Sequence, residues 1–155
     1  MVKVAKGRLK QRAKRFSIVA SHFNEFITKR LLDGCLKEFK RLGIPESHIS
    51  IFWVPGSFEI PLVALRLAQK KTTDAVVCLG AVIRGETFHF ELIARNTAQG
   101  IAGAALKSKK PVIFGVLTTD TVDQAYKRSQ EKGDNKGRDA ARAAVEMVNL
   151  LAQIQ

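Results

Sequence analysis

The chain predicts a three-layer α/β/α fold, a four-stranded parallel sheet with helices on both faces. Two observations carry the prediction. Apolar runs rich in β-branched residues alternate four times with helical patterns along 155 residues, the order that builds βαβ units with right-handed crossovers. Each run is also nearly continuously apolar, as in a strand covered on both faces, where a half-wet strand would alternate.

Phe16 to Ser21 reads as the first strand. His22 to Glu25 breaks it, and from Phe26 apolar residues recur at Ile27, Leu31, Leu32, Cys35, Leu36, Phe39 and Leu42, the spacing of an amphipathic helix. Gly43 and Pro45 stop that helix. Ile49 to Val54 is the second strand and Phe58 to Ala68 the second helix, with Pro61 tolerated in its first turn. Ala75 to Val82 and Val112 to Leu117 are the third and fourth strands, and His89 to Leu106 is the helix between them. Thr118 to Thr121 offers capping side chains for a helix from Val122 to Ser129. After the polar break Glu131 to Gly137, Ala141, Ala144, Val145, Val148, Leu151 and Ile154 mark a final helix.

A chain of this length fits one domain that buries its own core, and no repeat or linker divides it. Residues 1–15 form a basic arm, and 16–155 a single domain. Cys35 and Cys78 lack metal-ligand or disulfide-framework spacing and read as small buried hydrophobes in a reduced compartment. No apolar run approaches the ~18 residues of a membrane span, and the start lacks an export signal. The cytoplasm is the expected location, with no membrane partner.

The net charge is +12, and such an excess raises nucleic acid as a partner. Its distribution weakens that reading. Lys3, Lys6, Arg8, Lys10, Arg12, Lys14 and Arg15 all precede the first acidic residue, Glu25, and elsewhere acids and bases interleave. Neither a nucleic-acid motif nor interleaved aromatics accompany the charge, which argues against nucleic acid. A solvated arm is the plain reading; binding of a polyanion or of cargo stays open beside it.

Ligands of parallel α/β sheets bind beyond the carboxyl ends of the strands. Here that means His22 to Glu25, Pro55 to Glu59, Arg84 to His89 and Thr118 to Thr121. The third of these closes the stretch Gly80 to His89, a strand, a tight loop and a helix start, where backbone N–H groups and the helix dipole suit an anion. It is not a triphosphate-binding loop, because Glu86-Thr87 stands where Lys then Ser or Thr is needed. The first helix opens without G-x-G-x-x-G, G-x-S-x-G is absent, and the histidines do not cluster as metal ligands. What remains is a cleft with a histidine, a carboxylate and several cations.

F-N-E-F-I-T (Phe23 to Thr28), W-V-P-G-S-F-E-I-P (Trp53 to Pro61), G-A-V-I-R-G-E-T-F-H (Gly80 to His89), P-V-I-F-G-V-L-T-T-D (Pro111 to Asp120), D-N-K-G (Asp134 to Gly137) and A-A-V-E-M (Ala143 to Met147) resemble the 6,7-dimethyl-8-ribityllumazine synthase family in order and spacing. The resemblance covers roughly residues 16 to 152. It implies a flavodoxin-like fold and a transferase of riboflavin biosynthesis, working at the penultimate step without metal or organic cofactor. The implied reaction condenses 5-amino-6-(D-ribitylamino)uracil with 3,4-dihydroxy-2-butanone 4-phosphate and releases phosphate and water.

By the same resemblance His89 is the catalytic residue; taken alone it would read as a capping or solvent-facing histidine. Every step of the reaction moves a proton, and imidazole gives and takes protons near neutral pH. Phosphate falls to Arg128 and to the loop Gly85, Glu86 and Thr87, through paired guanidinium donors and backbone N–H groups. Glu86 stands where many relatives carry a small residue, so its carboxylate is expected to point away. Phe23 would stack on the pyrimidine, and Ser57, Phe58 and Glu59 would hold the ring edge and ribityl chain. Val82 and Ile83 line by main chain, and Asn24 is a polar lining position or a turn former.

Phe114, Lys136 and Arg128 match positions supplied by a neighbouring subunit. The resemblance therefore implies a homo-oligomer with intersubunit sites, a pentamer or a multiple of it up to a 60-subunit shell. Riboflavin synthase is a partner it brings into view. The loop Ser129 to Asp134 departs from the usual family pattern. A nucleic-acid binder and an inactive shell protein are the competing classes; His89, Arg128, Lys136, Glu59 and Phe23, all present, speak against the second.

Overall fold

The computed structural model describes residues 1–154. β1 (Phe16–Ser21), β2 (Ile49–Val54), β3 (Ala75–Ile83) and β4 (Val112–Thr119) form one sheet in the order β2-β1-β3-β4, with every pair parallel. This is the flavodoxin-like winding, carried through four strands. Between and after the strands run α1 (Glu25–Arg41), α2 (Ile60–Ala68), α3 (His89–Ser108), α4 (Val122–Lys127) and α5 (Lys136–Leu151).

The two-residue period of the strands divides the core. Ile18, Val77 and Leu79 face one side, where Ile27, Leu31 and Phe39 of α1 and Ala141, Ala144 and Val145 of α5 cover them. Val19, Val76 and Cys78 face the other, against Ile60 and Ala64 of α2 and Ile101 of α3. The central strands β1 and β3 are thus apolar on both faces, and almost all of their residues are buried.

The edge strand β2 departs from expectation. Its apolar run predicts cover on both faces, yet Ile51, Phe52 and Trp53 are each more than a third exposed and only Val54 is buried. The helices pack on β1, β3 and β4, and of the edge strand only Ile49 and Val54 join the two core layers. The smaller differences have local causes. The chain enters α2 through a 3-10 turn at Ser57–Glu59, so the α-helix begins at Ile60 rather than Phe58. β4 continues to Thr119 because its pairing with β3 runs to Ile83. α4 ends at Lys127: Thr121 opens it with a capping box to Gln124, and Ser129 leaves it to form a bridge with Asn135.

The basic arm is not a free tail. Leu9 packs against the α1/α5 core, and Gly7 is buried against α5, where a Cβ would lie 2.0 Å from the carbonyl oxygen of Glu146. Asn149 Nδ2 donates to the carbonyls of Arg8 (2.6 Å) and Lys10 (3.3 Å), and Gln153 Nε2 to that of Lys6 (2.9 Å). No described helix is long and apolar enough to cross a membrane.

Candidate active site

In this winding the connections leaving β1 and β3 pass to opposite faces of the sheet, and a crevice opens between them at the carboxyl edge. β1 leads into α1 and β3 into α3, which lie on opposite faces. The crevice here is a cleft of about 620 Å³ lined by residues from three loops, a volume suited to a small organic ligand.

Phe23 follows β1 and is 68% exposed, held at the rim with its ring uncovered. Its N–H donates to the carbonyl of Pro55 (3.0 Å), which ties the first loop to the second. Ser57, Phe58 and Glu59 come from the 3-10 turn before α2; Ser57 is buried and Phe58 exposed. Val82, Ile83, Gly85 and Thr87 bring the end of β3 and its loop, and His89 opens α3. The His89 N–H points to Thr87 Oγ1 at 3.4 Å. The cleft thus combines aromatic and aliphatic walls, one imidazole, one carboxylate and backbone donors at a helix start. That set can enclose a flat ring, receive an anion and move protons.

Five predicted site residues lie outside this lining. The Asn24 side chain donates to the Ala81 carbonyl (2.8 Å) from a left-handed residue that turns the chain into α1, so it braces the loop from behind. Glu86 is exposed and its side chain does not line the cleft. Arg128 caps α4 and its Nη1 donates to the Gln124 carbonyl (3.0 Å). Lys136 opens α5 beside Asp134 (3.4 Å) and Asp139 (3.5 Å), and Phe114 lies on β4, 46% exposed. Among the described residues, no lysine or arginine lines the cleft.

Phe90 and Ile93 complete the wall. Their three-residue spacing on the first turn of a helix was the available signal for them. Arg84 was also missed. It leaves β3 and donates from Nε to Asp120 Oδ1 (2.7 Å) at the end of β4. It pairs with Glu91 in α3 as well, and its guanidinium carbon lies 4.5 Å from the Phe90 ring centroid. The bonds to Asp120 and Glu91 push the Arg84 pKa up, and the same guanidinium holds the Glu91 carboxyl below its ordinary range. The loop carrying Gly85 and Thr87 is therefore clamped at its base to β4 and α3.

The geometry agrees with a comparison of the whole sequence. Residues 13–152 match the family model described as 6,7-dimethyl-8-ribityllumazine synthase, and the chain belongs to that family of riboflavin-biosynthetic transferases.

Proposed function

We propose that the cleft between β1 and β3 condenses 5-amino-6-(D-ribitylamino)uracil with 3,4-dihydroxy-2-butanone 4-phosphate. The observation that carries the reading is the convergence of Phe23, Ser57, Glu59, Val82, Ile83, Gly85, Thr87 and His89 on one cleft. The pyrimidine lies on the Phe23 ring, its edge on the main chain of Val82 and Ile83, and its ribityl hydroxyls meet Ser57 and Glu59. Offset stacking suits Phe23, since its face is open. The butanone phosphate sits toward Gly85 and Thr87, where the start of α3 supplies donors and a favourable dipole.

From that arrangement the chemistry follows in order. The 5-amino group adds to the ketone, and loss of water gives an imine. Removal of a proton beside the imine expels phosphate, and the resulting enol becomes a ketone by proton transfer. The ribityl-bearing nitrogen then attacks that carbonyl, and loss of a second water closes the ring. His89 stands beside the anion-binding loop and serves as the proton carrier in these steps, a role that contributes ~10² to 10⁴ in rate.

The site is shared between subunits. A phosphate ester calls for a cation, and among the described residues the cleft has no lysine or arginine of its own; Arg128 is exposed and outside it, as are Lys136 and Phe114. Exposed Ile51, Phe52, Trp53 and Phe114 provide apolar surface of the kind that subunits cover. The assembly is a pentamer or a multiple of it.

The test mixes two variants. His89→Ala and Arg128→Ala are each assayed alone, then unfolded and reassembled together, with lumazine formation followed by absorbance. Recovery of activity in the mixture is expected, because some interfaces then carry His89 from one subunit and Arg128 from the next. Absence of recovery with full assembly would place both residues in one subunit's site.

A further inference from the structure

The amino edge of the sheet, opposite the cleft, gathers the positive charge. The arm feeds β1 there with seven cations and no acid. Lys70 and Lys71 precede β3, and Lys107, Lys109 and Lys110 precede β4, against Asp74 and Glu46. α5 starts at the carboxyl edge and ends at this one, where Asn149 and Gln153 meet the arm. A patch at this pole does not serve the cleft.

Between Lys6 and Arg12 the arm is an extended ribbon by its exposure pattern. Gly7, Leu9 and Gln11 turn inward, buried or half-buried, while Lys6, Arg8, Lys10 and Arg12 are exposed. Amides hold it in place. Asn149 and Gln153 take its carbonyls, and Gln11 Nε2 donates to Asn149 Oδ1 (2.8 Å). Anchoring through neutral groups leaves the cations of the ribbon without an ion-pair partner, although Glu146 of α5 lies beside Gly7. Among the described residues, Lys6, Arg8, Lys10 and Arg12 form no salt bridge; the arm's one ion pair joins Lys14 to Asp74 (3.9 Å).

We infer that this ribbon binds a flexible phosphodiester chain, single-stranded RNA held through its phosphates without regard to sequence. Four features select that partner. A row of fixed, unpaired cations matches repeated anionic charge, and binding there releases counterions. Arginine forks pair with phosphate oxygens. The ribbon has no aromatic residue on which a base could stack, so sequence is not read. Within the ribbon the one large apolar side chain, Leu9, is turned inward, and the exposed Met1, Val2 and Val4 precede the row of cations, so the row itself offers an acidic polypeptide or a lipid surface no apolar anchor. The sequence alone argues against nucleic acid because motifs and aromatics are missing; a phosphate-only contact needs neither.

The experiment measures fluorescence anisotropy of a labelled oligouridylate of about 20 nucleotides with the full, assembled protein, across roughly 50 to 200 mM salt. The expected log–log salt slope is about −3 or steeper, from four or more phosphates at roughly −0.7 each. The variant Lys6→Gln/Arg8→Gln/Lys10→Gln/Arg12→Gln is expected to bind at least tenfold more weakly with a flatter slope, while assembly mass and lumazine formation stay unchanged. A control, Lys29→Gln/Arg95→Gln/Lys127→Gln/Lys132→Gln, removes as many cations elsewhere and is expected to keep most of the binding. Equal losses in both variants would reduce the effect to net charge and overturn the inference. Competition by polyglutamate as strong as by unlabelled RNA, or tighter binding to phosphatidylserine vesicles than to the oligonucleotide, would overturn RNA as the partner.

Discussion

Arg84 Nε lies 2.7 Å from Asp120 Oδ1 and joins the carboxyl ends of β3 and β4. The same guanidinium reaches Glu91 in α3, so one side chain fixes the loop between Ile83 and His89 against two elements. Replacing Arg84 by Ala frees that loop and leaves two carboxylates unpaired beside the loop proposed to receive the phosphate. Turnover is expected to fall about 10- to 10²-fold, in line with the cost of misplacing a reacting group by about 1 Å, and KM for the phosphorylated substrate to rise. Arg84→Lys keeps the charge but not the fork; it should restore the KM more than the turnover. Steady-state kinetics on the assembled variants separates the two effects.

His89→Ala is expected to leave the assembly mass unchanged and to slow turnover by ~10²-fold. The ring is on the cleft wall and not in the core, so folding does not depend on it. A single-turnover absorbance assay checks this, and an unchanged rate would remove His89 from the proton transfers.

Glu38 is buried between α1 and α5 and receives Arg41 Nη2 at 2.6 Å, with Arg142 Nη1 at 3.4 Å. The hydrogen bond from Arg41 holds its carboxyl below the ordinary glutamate range. Folding therefore depresses the pKa, and the stabilisation is complete above the unfolded value of ~4.3 and lost as pH falls through the lower folded value. Glu38→Gln should cost about 1 kcal/mol at pH 7, since both arginines are partly in water and screening reduces the pair. The gap between the variant and the natural protein should close below about pH 4, as read from urea midpoints across pH.

Gly137 faces Leu31 where α5 meets α1, and a Cβ there would lie 1.9 Å from the Leu31 carbonyl oxygen. Backbone cannot give way as a side-chain end can, so Gly137→Ala must push the two helices apart. A loss of about 3 kcal/mol is expected. Denaturant unfolding measures it, and a change under 1 kcal/mol would mean that the helices slide without loss.

Local signals made the sheet legible. β1, β3 and β4 are runs of apolar residues with turn chemistry at their ends, and parallel pairing follows from what separates them. β2 shows the limit: Ile49 to Val54 has the composition of a covered strand, but cover depends on what lies beside an edge, and no property of the run encodes that. The cleft was legible because its loops all follow strands. Arg84 was not, since its meaning lies in a partner 36 positions away. The seating of the arm rests on amides more than a hundred residues downstream, and Asn149 and Gln153 look like ordinary polar residues of a terminal helix.

Cys35 and Cys78 lie on opposite faces of the sheet, the first in the layer of α1 and α5, the second in that of α2 and α3. Both are wholly buried, and burial pushes both thiols' pKa upward. Neither reacts as a thiolate in the closed fold. Each becomes reactive only when its own layer opens, so the rates at which a thiol reagent captures the two cysteines time the two halves of the molecule separately. Equal rates would mean that the domain opens as one unit. A faster Cys78 would mean that the layer carrying His89 breathes on its own.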